Sequence, residues 1–360
     1  MAVYFQKNPG YLGVSISASS IRCCLTSNKF RLYRRKYFLQ ICDPFFFEKM
    51  EKIIWIYKLN PEYLFCLDEC TGLQALERTA PSLPADSIRP EYREFEYIRH
   101  GTVSIISILE KRSGKVYTEC IPDHTSVTII NSVKKHAAQY DSSTTLHYVC
   151  DNYSSHSTEG FCQGIAELCN IPLPTLKTAH DRKQWLESDK KRIIFHFLPA
   201  HGSWLNLIEI WFAILQQKAL SKESFSSTNQ LENSILDFTE TWNTHFAHPF
   251  NWKYSGEDLY DKVVCRLIRW LELETSQMTV KFLGKQLKLM NNLFANHHSK
   301  ITGNLWIKLQ RTLDAKREFV LKIINTVDPD ETKNAQLKRE EVRTLYLASI
   351  EQFDVSQKAA

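Results

Sequence analysis

The stretch FHFLPAHGSWLNLIEIWFAIL, residues 195–215, decides the fold class. Its apolar start, together with the two preceding isoleucines, predicts a buried strand over residues 193–198. Residues 199–202 then form a turn, and a helix starts at Ser203, whose hydroxyl we expect to cap it. The helix buries one apolar face at helical spacing, formed by Leu205, Ile208, Phe212 and Leu215.

Glu209 interrupts this helix between two isoleucines. A carboxylate rarely enters a protein interior unless it is paired or binds a metal. Because Glu209 borders the apolar face, we expect it to point at the rim of a sheet. Two other acids end apolar strands: Asp68, with Glu69 beside it, follows YLFCL, and Asp151 closes TLHYVCD. Strand ends of this kind meet at one rim, where ligands gather.

The rest of the chain predicts a mixed α/β sheet covered by helices. Residues 102–110 and 115–121 form a hairpin around Ser113-Gly114, and a helix covers residues 125–139. A polar insertion of about residues 170–192 precedes the last strand. Other helices are expected at residues 16–26, capped by Ser17 or Ser19, between Asp43-Pro44 and Pro61, and throughout the chain beyond about residue 250.

The bulk composition is that of a soluble globular protein. The 360 residues are 43% hydrophobic and 24% charged. No apolar run reaches the ~18 residues of a membrane span, and no signal-peptide pattern opens the chain. A cytoplasmic location is therefore expected. The spacing of the ten cysteines matches no zinc site, so we expect reduced and mostly buried thiols.

Positive charge is concentrated at the front of the chain. The formal net charge is +5, but residues 1–60 alone carry ten Lys/Arg against three acids. A basic front on a near-neutral body predicts a polyanion partner, with a solvated basic face as the alternative.

Three acids that converge without matching cations repel one another, and divalent cations remove that repulsion. A few hard oxygen ligands with open positions suit Mg²⁺ or Mn²⁺. Two such ions ~3.5–4 Å apart serve in-line phosphoryl displacement.

Four ordered strings resemble the mariner-superfamily DDE transposases of bacterial insertion sequences. They are CLDECTGLQALERTAPSLP, EYIRHGTVSIISILEKRSGKV, CDNYSSH and the opening stretch, and the resemblance covers roughly residues 16–255. It implies a ribonuclease H-like α/β domain whose Asp68, Asp151 and Glu209 bind two Mg²⁺ or Mn²⁺ ions. It also implies cleavage of double-stranded DNA at the transposon ends and joining of the 3′-hydroxyl to target DNA, commonly at TA. A homodimer is the expected active form, working in the bacterial cytoplasm on the nucleoid.

The resemblance divides the chain into three parts. Residues 1–42 are a partial helix-turn-helix remnant with a basic strip, residues 43–255 the catalytic domain, and residues 256–360 a helical C-terminal extension. Residues expected to position DNA or support the acids are Asn152, His156, Asn206, Arg99 and His100. Residues expected to bind DNA are Ser19, Ser20, Arg22, Arg31, Arg34, Arg35 and Lys36.

The sequence departs from the family pattern twice. Glu209 follows Asp151 by 58 residues, a longer spacing than is typical, and we expect the added residues to extend a loop without moving the acids. Of the paired helix-turn-helix region, we expect only the last recognition helix. Because base-edge contacts give specificity and phosphate contacts only hold DNA, such a loss would lower specificity.

Two alternatives stay open at this stage. The chain could be an inactive, truncated transposase relic that only binds DNA, or a ribonuclease H-like nuclease without strand transfer. A glycosidase also uses two carboxylates, but it would not explain the basic front or the four ordered motifs.

Overall fold

The computed structural model describes residues 17–27, 40–326 and 332–353, in two compact units that divide between Gln40 and Ile41. In the first unit, helix α1 (Ala18–Ser27) begins where the Ser20 N–H donates to Ser17 Oγ over 3.0 Å. The expected helix and its Ser17 cap are therefore confirmed.

Among the described residues of the second unit, five strands form a sheet in the order β3-β2-β1-β4-β5. Strands β1, β2 and β3 pair antiparallel, whereas β4 and β5 run parallel to β1. This confirms the expected ribonuclease H-like mixed sheet. The strands are β1 (Leu64–Arg78), β2 (Tyr97–Glu110), β3 (Val116–Ile121), β4 (Leu146–Cys150) and β5 (Ile193–Phe197).

Strand β1 is much longer than the short apolar run expected from the sequence. It continues past Asp68 to Arg78, because β2 pairs with it along its whole length across irregularities at Cys70/Leu73 and Gln74/Leu76. Only its first residues, Leu64 to Cys66, also pair with β4. The apolar run seen in the sequence corresponds to the part of β1 that pairs with both β2 and β4. The more polar remainder of β1 pairs only with β2.

The β2–β3 turn requires glycine at position 114. Gly114 has a φ of +73°, and a Cβ added there would lie 1.9 Å from the backbone oxygen of His248. The predicted hairpin around Ser113-Gly114 is confirmed, and the close approach of residue 248 explains why this position excludes a side chain.

Helices flank the sheet, and their apolar sides form its core with Phe65, Tyr148 and Phe195. The expected helix over residues 125–139 is confirmed as α3. The helices of this part are α2 (Phe46–Leu59), α3 (Ser126–Ala137), α4 (Glu159–Leu168), α5 (Ala179–Glu187), α6 (Ile208–Lys218) and α7 (Thr228–Thr241).

Two local expectations were wrong. The helix of the opening stretch does not start at Ser203: a 3-10 turn, Ser203–Leu205, comes first, and α6 begins at Ile208 without a side-chain cap. Consequently Trp211, not Phe212, is fully buried on its inner face. The insertion is also not a mere loop. It contains α5, which opens with a capping box in which Thr178 Oγ1 accepts from Asp181 N and Asp181 Oδ2 accepts from Thr178 N.

The C-terminal part is helical, as predicted, and packs against α2. Tyr260 Oη donates to Glu51 Oε1 over 2.5 Å, Asn296 Nδ2 to Glu48 over 3.1 Å, and Gln286 Nε2 to the Ile41 carbonyl over 2.9 Å. The proposed domain boundary after residue 255 stays a prediction. The helices are α8 (Glu257–Glu272), α9 (Val280–His297), α10 (Gly303–Ala315), α11 (Arg317–Asn325) and α12 (Lys333–Gln352).

Among the described residues, no helix is long and apolar enough to cross a membrane. All ten cysteines are free thiols, as expected, but only three are buried, Cys66, Cys150 and Cys162. The expectation that most are buried was therefore wrong.

Candidate active site

Parallel pairing brings Asp68 and Asp151 to the same level of the sheet. The last parallel pair between β1 and β4 joins Cys66 to Val149, and each acid lies two residues beyond it. Beyond this point β4 ends, so the rim opens on that side of β1. The two carboxylates therefore lie side by side where the sequence predicted a strand-end site.

Glu209 reaches the same rim from helix α6. Its N–H donates to the Asn206 carbonyl over 3.2 Å, in the first turn, while Ile208, Trp211 and Leu215 bury the inner face. The side chain of Glu209 borders the apolar face, as expected, and is exposed. Partial burial and the charge of Asp151 nevertheless raise the pKa of Glu209, which places it within electrostatic reach of that acid.

Asp68 is the carboxyl group of the site whose ionisation is most disfavoured. Burial, the negative charges of Asp151 and Glu69, and a smaller effect of Glu209 raise its pKa to about 7, although its Oδ1 accepts a hydrogen bond from the Glu69 N–H. Burial and like charges both disfavour ionisation, so a cation bound at this rim would stabilise the charged form of Asp68.

His156 lies between two carboxylates. Its Nδ1 lies 2.9 Å from Asp151 Oδ1 and its Nε2 lies 2.8 Å from Glu69 Oε1, and only 1% of its side chain is exposed. Burial alone would lower the pKa of His156, but hydrogen bonds to Asp151, Cys150 and Glu69 raise it well above its ordinary value. The imidazole is therefore a buried cation with both nitrogens donating.

The same contact acts on Asp151. Burial by itself would raise the pKa of this carboxyl, but the hydrogen bond and charge of His156 outweigh it and lower the pKa. The pKa of Asp151 is thus lowered while that of Asp68 is raised, so the two carboxyl groups differ in proton affinity.

Asn206 connects the start of α6 to β1. Its Nδ2 donates to the Leu67 carbonyl over 3.0 Å and to Asp68 Oδ2 over 3.3 Å, and the side chain is buried. Tyr57 Oη also donates to the Leu205 carbonyl over 2.9 Å. These bonds fix the segment that leads to Glu209 against the strand that carries Asp68.

The other predicted positioning residues are Asn152, which directly follows Asp151, and Arg99 and His100. Asn152 accepts a hydrogen bond from Lys183. Arg99 and His100 are in strand β2, not in a loop, opposite the far half of β1. The guanidinium of Arg99 lies 5.9 Å from the Tyr97 ring centroid, and His100 Nε2 lies 2.6 Å from Glu77. Neither contacts the acids, so their proposed role with DNA stays a prediction.

The predicted DNA-binding residues belong to the first unit. Ser19, Ser20 and Arg22 are exposed on α1, and Ser20 Oγ also bonds Ser17 Oγ over 2.8 Å. Their contact with bases stays a prediction. The remaining predicted residues, Arg31, Arg34, Arg35 and Lys36, lie outside the described residues.

The chemistry of the site suits a hard divalent cation. Asp68, Asp151 and Glu209 supply carboxylate oxygens, the ligands that Mg²⁺ and Mn²⁺ prefer, and burial together with the negative charge of neighbouring acids raises the pKa of Asp68 and Glu209. The buried Oδ1 of Asn206 has no hydrogen-bond partner among the described residues. Within those residues, no three His, Cys, Asp or Glu side chains form a ready-made metal ligand set.

Part of the chain matches a known protein family. Residues 63–232 match the DDE superfamily endonuclease model. The match spans β1 to the start of α7, so it contains Asp68, Asp151 and Glu209, and we call these three residues the DDE site. It covers a little under half of the chain. The chain matches no curated protein.

Several solved structures are distantly similar to the chain. The Mos1 mariner paired-end complex with Mn is 12% identical over 63% of this chain and 69% of that chain, with a TM-score of 0.31. A pre-cleavage Mos1 transpososome is 13% identical over 66% and 72%, with a TM-score of 0.30. The HTLV-2 integrase catalytic core with magnesium is 13% identical over 49% and 84%, with a TM-score of 0.21. Likenesses at this level establish no function for the chain.

Sequence reasoning missed two residues beside the DDE site. Glu69 was noted only as a neighbour of Asp68, and since adjacent strand residues point to opposite faces, its contact with His156 was not foreseen. Lys183 lies in α5, which was interpreted as loop. The capping-box pattern Thr178 to Asp181 was the available signal for that helix.

Proposed function

We propose that the chain is a metal-dependent DNA transposase of the bacterial insertion-sequence type. It would cut double-stranded DNA at the terminal inverted repeats of its element and join the freed ends to target DNA at TA sites. The observation that carries the proposal is the level placement of Asp68 and Asp151 beyond the last parallel pair, with Glu209 in electrostatic reach, inside a DDE superfamily match.

Asp68, Asp151 and Glu209 would hold two Mg²⁺ or Mn²⁺ ions. When bound, such ions lower the pKa of an attacking water and offset charge on the leaving oxygen of a phosphodiester. The exposure of Glu209 leaves the rim open to a DNA backbone, whereas buried Asp68 and half-buried Asp151 form its floor. This arrangement suits a macromolecular substrate that approaches from outside.

The residues around the acids have separate tasks. His156 holds Asp151 ionised and fixes its Oδ1, leaving Oδ2 for a cation or substrate. Asn206 holds Asp68 and the base of α6 together, which fixes the distance from Asp68 to Glu209. Water is the nucleophile of the first attack and the 3′-hydroxyl that of the second, so one set of carboxylates serves both steps.

The partners follow from this reaction. Ser19, Ser20 and Arg22 of α1 would contact the terminal repeats, and the basic segment after α1 would hold phosphates. A homodimer would bring two transposon ends together. The protein would act in the bacterial cytoplasm, associated with the nucleoid when it is bound to DNA.

The test uses the full chain, Mn²⁺ and a labelled duplex that carries the inverted repeats flanking its own gene. We expect cuts at the repeat ends and joined products on a TA-containing target, both lost in Asp151→Ala and Glu209→Gln. Asp189→Ala is the matched control, because Asp189 is an exposed acid of the insertion.

Each other outcome has a defined meaning. Cleavage of arbitrary DNA without joining would make the chain a ribonuclease H-like nuclease, and binding without cleavage in any divalent metal would make it an inactive relic. Full activity of Glu209→Gln would overturn the assignment of the DDE site.

A further inference from the structure

We propose that Lys183 is a positioning residue that holds a DNA phosphate beside Asp151. This inference rests on the proposed action on DNA and adds a residue from the insertion to the substrate-binding surface. The feature behind it is helix α5, which the insertion places against the segment that follows Asp151.

The position of α5 is fixed by contacts at both of its ends. The capping box of Thr178 and Asp181 closes its first turn over 2.8 and 3.1 Å, and Arg182 Nε donates to the Ser157 carbonyl over 2.7 Å. At the other end the buried Lys191 Nζ donates to the carbonyls of Trp185 and Leu186 over 2.5 and 2.7 Å. Because polar groups of the helix are satisfied at both ends, α5 is an ordered part of the rim.

Lys183 projects from this helix toward the acids. Its ammonium donates to Asn152 Oδ1, directly after Asp151, and lies 5.5 Å from the ring centroid of Phe197 at the end of β5. The side chain is half-buried. An ammonium has three donors, and the bond to Asn152 uses one, so the group can also donate to a phosphate oxygen.

The ammonium of Lys183 offsets part of the negative charge at the rim. Four carboxylates meet at the rim, His156 supplies a cation to two of them, and a phosphodiester brings a further negative charge. They are Asp68, Glu69, Asp151 and Glu209. A fixed ammonium beside Asp151 reduces the repulsion that an incoming backbone meets.

A second lysine lies close by. Burial lowers the pKa of Lys183, and the positive charge of Lys49 on α2 lowers it further. Lys49 also pairs with Asp43 over 2.6 Å. The negative charges of Glu187 and Asp151 act in the opposite direction on the same ammonium, which places Lys183 within electrostatic reach of the DDE site.

The decisive variant is Lys183→Gln, since a glutamine amide can still donate to Asn152 but carries no charge. Binding of a labelled duplex is measured by fluorescence anisotropy in EDTA over a range of salt concentrations, so no cleavage is involved. Loss of one phosphate contact should lower the log–log salt slope by roughly 0.9 and weaken binding by about 3- to 10-fold at low salt. Lys183→Arg should restore both values.

Lys190→Gln is the matched control, because Lys190 is an exposed lysine of the same insertion. If Lys183→Gln binds DNA as Lys190→Gln does, with an unchanged salt slope, the inference is overturned while the proposed function stands. If Lys183→Gln keeps normal binding but Asn152→Ala loses it, Lys183 has no role with phosphate and the inference is again overturned. If the unaltered chain binds no DNA, both proposals fail.

Discussion

The imidazolium of His156 should be a large local contribution to stability. It is 1% exposed and lies within 2.9 Å of carboxylate oxygens on both sides, from Asp151 and Glu69. His156→Ala would remove both hydrogen bonds and the cation, and would leave Glu69, whose side chain is 8% exposed, as a buried charge without its partner. The loss should therefore exceed that of an ordinary core histidine.

The expected magnitude follows from the burial of the two acids. Breaking a buried ion pair by removing one partner costs about 3–5 kcal/mol. The side chain of Asp151 is 35% exposed, so water screens its share, and Glu69 carries most of the cost. We expect a loss of about 3 kcal/mol. For a unit the size of residues 41–360 the unfolding entropy is roughly 0.7 kcal/mol per degree, which makes this about 4 °C in Tm.

A double-mutant cycle separates the energy of the ion pair from the cost of the cavity that His156→Ala leaves. Glu69→Gln is made in the native and His156→Ala backgrounds, and unfolding is followed by heat and by urea without metal. If the pair dominates, the double variant loses less than the sum of the two single losses, by roughly 1–3 kcal/mol. His136→Ala is the control, because His136 is equally buried but bonds Tyr148 Oη over 2.8 Å and no carboxylate. The loss of stability in His136→Ala should add to the loss in Glu69→Gln.

The pH dependence supplies a second criterion. The pKa of His156 in the folded chain lies well above the value of about 6.5 that an unfolded histidine has. Its stabilising contribution is therefore complete below about pH 6.5 and is lost as the pH rises through the folded-state value. Two results would refute the assignment of a charged His156 between Asp151 and Glu69. They are additive losses of stability in the double-mutant cycle, or a loss of stability in His156→Ala that stays constant from pH 6 to pH 10.

Three further results are expected. Because burial and the charges of Asp151 and Glu69 raise the pKa of Asp68 to about 7, Asp68→Asn should stabilise the metal-free chain at pH 8 by roughly 2–4 kcal/mol while abolishing cleavage. That gain should fade at pH 5, where Asp68 is already protonated; an equal Tm gain at both pH values would contradict it. Calorimetric titration should show Mn²⁺ binding more tightly as the pH rises through 7 and releasing a proton below it, and pH-independent affinity would contradict this. Gly114→Ala should destabilise by at least about 2 kcal/mol in urea, whereas Gly72→Ala, with a φ of +71° but open space around it, should cost about 1 kcal/mol; equal losses would show that the contact with His248 is unimportant.

The sequence predicted those parts of the fold that depend on local pattern. The first part of β1 and strands β4 and β5 are recognisable because both of their faces are buried, so their apolar runs end where the parallel pairing ends. Asp68 and Asp151 could be assigned to one rim for the same reason. The start of α6 could not be predicted from local pattern, because Asn206 is held by a hydrogen bond to β1, which lies far away in sequence.

The remaining features of the site depend on contacts between distant segments. Glu69 pairs with a residue 87 positions later and Lys183 with one 31 positions earlier, and neither spacing has a period that a sequence reveals. Glu209 has apolar neighbours in sequence, but the buried ones lie on another side of the helix, because a helix turns each successive side chain by about 100°. The apolar neighbours Ile208 and Trp211 face inward, whereas Glu209 and Ile210 face outward.

Helix α2 connects the C-terminal helices to the DDE site. Tyr260 and Asn296 donate hydrogen bonds to its side chains Glu51 and Glu48, Gln286 donates to the Ile41 carbonyl upstream of the helix, and Tyr57 of α2 donates to the Leu205 carbonyl. From there one residue leads to Asn206, which fixes the base of the helix that carries Glu209. Under the proposed function, a premature stop codon or a helix-breaking substitution beyond residue 255 would therefore abolish DNA cleavage although Asp68, Asp151 and Glu209 were all still encoded.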